Sequence, residues 1–372
     1  MRITEVVAEI LKYELDRPMA DAQVYIPARI STIVRVRTSD GVEGIGEAAC
    51  FGGAEHVVCK IVETQLAPLL VGEDPENVER LWEIMYRGTI QLGRRGVIFG
   101  AISGVDIALW DLLGKICGKP VCTLLGAHDR SLIGYASGGF YIEGKGLDEL
   151  FDEFRGYREA GYRAAKMKVA GEPMAVDIDR VRTAHEALGP AVRLMIDANN
   201  MYTPKEAIAM ARAVEELDIY WFEEPVRTDD TEGAAMVRST TAVPIAGYET
   251  EACLDGFKRL ITHGAVDFAQ PDAIWCGGIT EFRRIAALAR AWHLRMAAHN
   301  FAGAVSGFAN LHVSATLPHD PMFEMDQNPN PLRTEIVASS LTIDSDGVVQ
   351  VPEGTGLGFE LDESVVERYR VA

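Results

Sequence analysis

Thiols are few in this chain, and none sits where it would hold a metal or cycle between redox states. The six cysteines, at 50, 59, 117, 122, 253 and 276, contain no C-x-x-C pair and no tight His/Cys cluster. They read as reduced and mostly buried, as in a cytoplasmic protein. No uninterrupted run of about 18 apolar residues occurs, so no membrane span is expected. Residues 1–19 lack the apolar core of a signal peptide. Basic residues are in short supply, 36 against 55 acidic ones for a net charge of −19. Such a surface repels phosphate backbones, which excludes nucleic acid as an expected partner. An anionic substrate then needs a locally positive site, from lysines or a metal. Low-complexity segments and flexible linkers are also missing. What remains is 48% hydrophobic and 24% charged, the make-up of a globular chain with a large core.

An α/β barrel takes about 250 residues, which leaves roughly 120 of this chain for a second unit. Residues 1–128 read as mixed α+β. Strands over 6–15, 30–37 and 41–49, with Ser39-Asp40-Gly41 as a hairpin turn, precede helices over 56–70, 77–92 and 99–118. From 129 to 335 the pattern alternates. The short apolar runs LIGYAS, AAKMKV, VRLMID, IYWFE, VPIAG, VDFAQ, LRMAA and PMFE are separated by amphipathic stretches such as 147–160, 175–188, 204–217 and 279–292. Eight strands and seven helices fit a (β/α)7β barrel of the TIM type. The tail, 336–372, carries the turn Asp344-Ser345-Asp346-Gly347 and then VVQVP. It reads as strands returning to the N-terminal unit and completing it as a cap.

Seven chemically charged residues punctuate the alternating region: Lys168, Asp197, Glu223, Glu249, Asp272, His299 and Glu324, at gaps of 29, 26, 26, 23, 27 and 25 residues. Each gap is one β/α unit, so each residue stands at a strand end on the face where barrel strand ends open together. Three carboxylates converging there (Asp197, Glu223 and Glu249) repel unless a divalent cation neutralises them. Ligation by oxygen alone favours Mg²⁺ or Mn²⁺ over zinc. The alternative is that each acid caps a helix or pairs on the surface. Lys166 and Lys168, two apart on one strand, face the same side. Pointing inward, each ammonium, together with a nearby cation, lowers the other's pKa and leaves one neutral enough to act as a base; with the strand reversed, both are solvated. Asp272 and His299 end neighbouring strands, close enough for the carboxylate to set the imidazole tautomer. Glu324 closes the eighth strand, either hydrogen-bonding a substrate carboxylate when protonated or forming a structural salt bridge. A base on either face of an anchored substrate suits removal of the proton beside a carboxylate.

These residues resemble the enolase superfamily, mandelate racemase subgroup, over almost the whole chain. The matching pieces are AISGVDIALWDLLGK (101–115), Lys166-Met167-Lys168, Asp197-Ala198-Asn199, Trp221-Phe222-Glu223-Glu224-Pro225, Glu249, Asp272 in QPD, His299 and Glu324. The resemblance implies an α+β capping domain over a modified (β/α)7β barrel, and an essential Mg²⁺ on Asp197, Glu223 and Glu249 with Glu224 behind them. It implies Lys168 as one acid/base with Lys166 on the substrate carboxylate, His299 oriented by Asp272 as the other, and Asn199 and Glu324 as substrate contacts. Tyr248 stands where members often carry glycine, a sign of a more crowded floor. Ala298 stands where proline is common, a sign of an altered dyad. The cap sets specificity in this family, so the loops 16–30 and 50–57, with Tyr25 and His56, are candidate substrate contacts.

Three reactions share the first step. Loss of a β-hydroxyl gives a 2-keto-3-deoxy acid, return of the proton to the other face gives racemisation or epimerisation, and departure of a ring oxygen is lactone cycloisomerisation. Asn199, Asn200 and Lys166 suit a polyhydroxylated acid, so dehydration of an aldonate or aldarate is the leading expectation. A non-catalytic barrel that only binds a sugar acid, and a Schiff-base aldolase using Lys168, are the outside readings. Expected partners are a small carboxylate substrate and further copies of the chain, without nucleic acid or membrane.

Overall fold

The computed structural model describes residues 1–49, 53–319 and 321–371. The N-terminal unit is built on an antiparallel sheet of β1 (Ile3–Ala20), β2 (Tyr25–Thr38) and β3 (Glu43–Ala48). Gly41, at φ +81°, makes the turn from β2 to β3 that the Ser-Asp-Gly signal predicts. Val34 and Val36 of β2 are fully buried on one face of the sheet. Across this face lies the Val97–Cys117 helix, buried along most of its length. Gly44 and Gly46 of β3 allow the approach: a Cβ at either would lie 2.1 Å from Ala108 O or 2.0 Å from Gly104 O.

That helix is long and apolar enough to cross a membrane, yet it lies inside the fold. Its two acids explain the AISGVDIALWDLLGK motif. Asp106 accepts from the backbone N (3.0 Å) and Oγ1 (2.7 Å) of Thr280 at the start of the Gly278–Ala291 barrel helix. Burial pushes its pKa up to about 7. Asp111 accepts from Ile45 N in β3 (2.9 Å) and Leu357 N in the tail (2.8 Å). Asp106 thus holds the barrel helix and Asp111 the cap sheet and the tail, which together locks all three to one helix.

All eight expected barrel strands are present: β4 (Ser131–Gly138), β6 (Ala164–Lys168), β7 (Arg193–Asp197), β8 (Phe222–Glu223), β9 (Ile245–Gly247), β10 (Phe268–Ala269), β11 (Arg295–Met296) and β12 (Met322–Asp326). They run parallel in the order β11-β10-β9-β8-β7-β6-β4-β12, and a parallel bridge between Ala298 and Phe323 joins the two ends. Side chains alternate as the pleat demands. Ala165, Met167 and Val169 pack outward among the helices. Tyr135, Met195, Trp221 and Phe268 point inward and fill the barrel floor. Trp221 meets the Tyr135 ring edge-on at 5.5 Å.

Two connections tie cap and barrel. The short β5 (Tyr141–Ile142), just after the first barrel strand, pairs with Met19 and Ala20 of β1 and so becomes the fourth strand of the cap sheet. The tail divides its allegiance, unlike the expectation of strands returning to the N-terminal unit. Its strand β13 (Val348–Gln350) pairs antiparallel with β4 of the barrel. Only the terminal Glu363–Tyr369 helix region reaches β1, through a Leu11–Arg370 bridge and an Arg370–Glu9 contact of 2.8 Å. The strand takes the edge of β4 at residues 131–133, which β6, pairing only at 136–138, leaves open.

Candidate active site

Strand order brings the predicted acids and lysines together. Lys168 and Asp197 are register partners on β6 and β7, and Asp197 pairs with Glu223 on β8. Glu249, Asp272 and His299 lie two or three residues past the regular strands rather than in them. The parallel ladder carries on that far, with Gln270 N bonded to Gly247 O (2.9 Å) and His299 N to Pro271 O (3.3 Å).

At the centre is Lys166, fully buried. Its ammonium contacts Glu223 Oε1, lies 2.9 Å from Glu324 Oε1 and 3.7 Å from Asp197 Oδ2. Lys168 Nζ lies 2.5 Å from Asp197 Oδ2 and 5.1 Å from the centroid of the Phe140 ring. Burial works to lower both lysines, but the surrounding carboxylates overcome it and hold both pKa values above the usual lysine range. In this arrangement Asp197, Glu223 and Glu324 outweigh the mutual repulsion of the two ammoniums, and the expected near-neutral lysine depends on a cation taking up the charge of those acids.

Each acid has its own anchor. Glu223 Oε2 accepts from Trp221 Nε1 (2.9 Å) and Gln270 Nε2 (2.8 Å). Burial first, with Asp197, Glu324 and Glu249 adding to it against Lys166, pushes Glu223 up to about 7. Asp197 is held below its usual value: burial opposes ionisation, and Lys168 and Lys166 prevail. Glu224, behind, accepts from Asn200 Nδ2 (2.6 Å) and from the backbone N of Glu249 (3.2 Å), so it shapes the turn that carries Glu249. Burial beside Glu249 and Asp197 raises Glu224 well above the carboxylate range. Asn199 is nearly buried, with φ +41°; its backbone N donates to Asp197 Oδ1 (2.9 Å), and its Oδ1 has no hydrogen-bond partner among the described residues.

On the opposite side, His299 Nδ1 lies 2.8 Å from Asp272 Oδ2 and Nε2 lies 3.7 Å from Glu249 Oε1. Burial lowers the imidazole, but Glu249 and the Asp272 hydrogen bond bring it up to about 9. Ala298 therefore does not disturb the dyad. Tyr248 does not crowd the floor either, because its ring packs outward in the main core. Of the two readings of Glu324, this arrangement shows the ion pair, with Lys166. Burial raises it, but Lys166 and then His299 carry it down to about 2. Its Oε2 also accepts from Asn300 N (3.0 Å).

A divalent cation fits this donor set on three counts. Asp197, Glu223 and Glu249 end adjacent strands and bear oxygen alone. Glu249 Oε2 is buried without a hydrogen bond among the described residues. Burial and then the neighbouring carboxyls also raise Glu223, even with the Lys166 ammonium against it. Against this, no three acidic, imidazole or thiol groups among the described residues stand as a ready cage. The lysine ammoniums account for it, since they draw Asp197 and Glu223 to themselves, and the chemistry of the donors decides the matter over their present spacing.

The sequence reading missed several supports. Gln270 precedes Asp272 by two residues and fixes Glu223; Asn310 Nδ2 donates to Asp272 Oδ1 (2.8 Å). Glu47 of β3 accepts from Ser31 Oγ (2.6 Å), Gly303 N (2.9 Å) and Ser306 N (2.8 Å), clamping the cap onto the first turn of the Ala304–Ser314 helix. Leu15 and Met19 of the cap pack with Phe140 and Phe301 in one apolar cluster. Arg29 stacks over Phe301 at 4.1 Å and bonds Asp326 at 2.5 Å.

Tyr25 and His56 are not drawn into this centre. Tyr25 is 67% exposed and lines a cleft of about 820 Å³ with Arg17, Tyr141 and Arg180. His56 is exposed on the Glu55–Ile61 helix, and no hydrogen bond or ion pair joins it to the cluster among the described residues. Residues 50–52 of the proposed 50–57 loop, Cys50 included, lie outside the described residues. The other five cysteines are free. A second cleft of about 640 Å³ opens between Gln23 of the cap and Asn200 and Thr228 of the barrel. Neither cleft is lined by Lys168 or His299.

Comparison with known proteins agrees with this architecture. Residues 6–126 match the mandelate racemase / muconate lactonizing enzyme N-terminal domain, and 149–365 match the enolase C-terminal domain-like family. An arabinonate dehydratase of Saccharolobus solfataricus is 41% identical over 90% of this chain and 89% of its own. A D-galactarolactone cycloisomerase of Agrobacterium fabrum is 34% identical over 100% and 99%. Among solved structures, a racemase from Streptomyces coelicolor with bound magnesium superposes with a TM-score of 0.92 at 31% identity, covering 99% of this chain and 100% of its own.

Proposed function

This chain belongs to the mandelate racemase / muconate lactonizing enzyme family of the enolase superfamily, and from that membership we propose that it dehydrates an acid sugar to a 2-keto-3-deoxy acid. One observation carries the reading: two protonatable groups, Lys168 beside Asp197 and His299 beside Glu249, flank a single buried carboxylate cluster from opposite sides. Asp197, Glu223 and Glu249 would hold Mg²⁺, with Mn²⁺ able to serve the same oxygen set. When bound, the cation supplies positive charge that stabilises the enediolate formed from the substrate carboxylate.

The remaining work falls to the chain. Lys166, already shared between Glu223 and Glu324, presents an ammonium to the substrate carboxylate. With the charge of Asp197 and Glu249 taken up by the cation they would hold, the two site acids that keep Lys168 protonated would be neutralised, and Lys168 would be free to take the α-proton as a base. His299, held through Nδ1 by Asp272, delivers a proton from Nε2 to the departing β-hydroxyl. Asn199, with its free Oδ1, orients a sugar hydroxyl. The same pair of opposed groups also serves epimerisation, and opening of a lactone shares the first step. The cycloisomerase relative favours keeping lactones in view.

A screen of mono- and diacid sugars and their lactones with MgCl₂ tests this. Keto-acid formation from at least one open-chain acid is expected. Solvent deuterium entering an acid without keto-acid would assign epimerisation, and no turnover or exchange across the library would end the proposal.

A further inference from the structure

We infer that Tyr141, Asp177 and Arg180 form a positioning unit for Lys168, through which the cap's first hairpin holds that base in place. The inference rests on the assignment of Lys168 as a base made above. Lys168 is the last residue of β6, so the direction of its side chain depends on what fixes the backbone immediately beyond. Two residues on, Ala170 sits at φ +74°, a region that L-residues adopt only when surroundings impose it. Fully buried Asp177 imposes it: Oδ2 accepts from Ala170 N (2.8 Å) and Glu172 N (3.3 Å).

Arg180, on the same Met174–Leu188 helix, completes the grip. Nη1 donates to Lys168 O (3.0 Å) and to Asp177 Oδ1 (3.0 Å), and Nη2 donates to Gly139 O (2.7 Å). Gly139 precedes Phe140, whose ring faces the Lys168 ammonium at 5.1 Å. One guanidinium thus fixes the carbonyl of the base and the carbonyl beside its apolar neighbour. An ion pair serving only the helix would have no call on either carbonyl.

Tyr141 links this grip to the cap. Its hydroxyl donates to Asp177 Oδ1 (2.6 Å) and accepts from Gly171 N (2.9 Å), while its ring lies 3.9 Å from the Arg180 guanidinium carbon. Only glycine fits at 171, since a Cβ there would stand 2.3 Å from the ring. The backbone of Tyr141 belongs to β5 and pairs with Ala20 at the tip of the cap hairpin. Seating of the cap therefore fixes the ring, the ring fixes the acid and the guanidinium, and these fix the strand end that carries Lys168.

The test places Tyr141→Phe and Arg180→Lys separately in two backgrounds, His299→Asn and Lys168→Ala, each of which leaves one exchanging face. The probe is the acid sugar turned over in the screen above, in heavy water with MgCl₂. Exchange is expected to fall about tenfold or more in the His299→Asn background, with KM nearly constant, and to stay unchanged in the Lys168→Ala background, because a small misplacement of one base costs rate rather than binding. Equal loss in both backgrounds, or loss in neither, overturns the inference. Should Arg180→Lys fail to fold, Tyr141→Phe, which keeps the ring, decides alone. If neither parent exchanges, the assignment of the two bases falls and this inference falls with it.

Discussion

Asp272 Oδ2 and His299 Nδ1 meet at 2.8 Å across two neighbouring loops of the barrel mouth. The other oxygen of Asp272 is occupied by Asn310 Nδ2 (2.8 Å) and Ile274 N (3.0 Å), so the carboxylate has one orientation to offer the imidazole. In Asp272→Asn the amide no longer selects the tautomer with its proton on Nδ1. Exchange on the His299 face is expected to drop about 100-fold or more, with the Lys168 face nearly unaffected. Stereochemical analysis of deuterated substrate by NMR reads both faces, and an unchanged His299 face would count against the dyad.

Magnesium dependence should follow Glu223 and what holds it. Glu223→Gln is expected to lose metal-dependent turnover. Gln270→Ala, which frees Glu223 Oε2 from one of its two donors, should raise the Mg²⁺ concentration needed for half-maximal rate about tenfold with little change at saturation. Titration of activity and calorimetry with MgCl₂ measure both. An unaltered Mg²⁺ requirement in both variants would remove Glu223 from the ligand set.

Glu47 ties the cap to the barrel through two backbone N–H groups, of Gly303 and Ser306, and is steadied within the cap by the Ser31 hydroxyl. Glu47→Ala leaves those donors buried and unmatched, an expected loss of about 3 kcal/mol. Denaturant unfolding of wild type and variant gives the difference. A change under about 0.5 kcal/mol, the range of ordinary surface substitutions, would show that the clamp contributes nothing.

His312 gives the fold a pH dependence away from the mouth. Its Nδ1 accepts from Cys122 N (3.1 Å), so Nε2–H donates to Leu357 O (3.0 Å), and the ring is held neutral. Burial lowers its pKa to about 4 from the ordinary 6.5. The unfolded chain therefore binds a proton first as pH falls, and this contribution to stability is whole above 6.5 and lost progressively down to about 4, some 3 kcal/mol at full extent. His312→Gln should lose correspondingly less stability between pH 7 and pH 4.5. Parallel melting curves for the two proteins over that range would refute it.

What was legible in the sequence is what the β/α repeat writes into it. Lys168, Asp197, Glu223, Glu249, Asp272, His299 and Glu324 could be found because each falls at the end of one unit, and geometry then brings them together. Gln270 lay within the QPD segment, yet nothing local marks its amide as an anchor for Glu223 forty-seven residues earlier. Asn310 acts 38 residues from Asp272, and Glu47 256 from Gly303, at positions a helix or strand pattern treats as ordinary polar interruptions. The charge states were less legible for a related reason. Spacing shows that Lys166 and Lys168 are neighbours, but only the assembled mouth shows that Asp197, Glu223 and Glu324 surround them closely enough to reverse their effect on one another. The tail misled because a short VVQ run carries no record of which sheet edge is open.

The two-residue strand Tyr141–Ile142 belongs to the barrel by chain connection and to the cap by hydrogen bonding. A chimera that exchanged the N-terminal unit for that of a relative would leave this strand facing a foreign hairpin tip. Swapping specificity between such enzymes therefore calls for moving residues 139–142 with the donor lid, and a transplant cut at the conventional seam would assemble with its lysine askew.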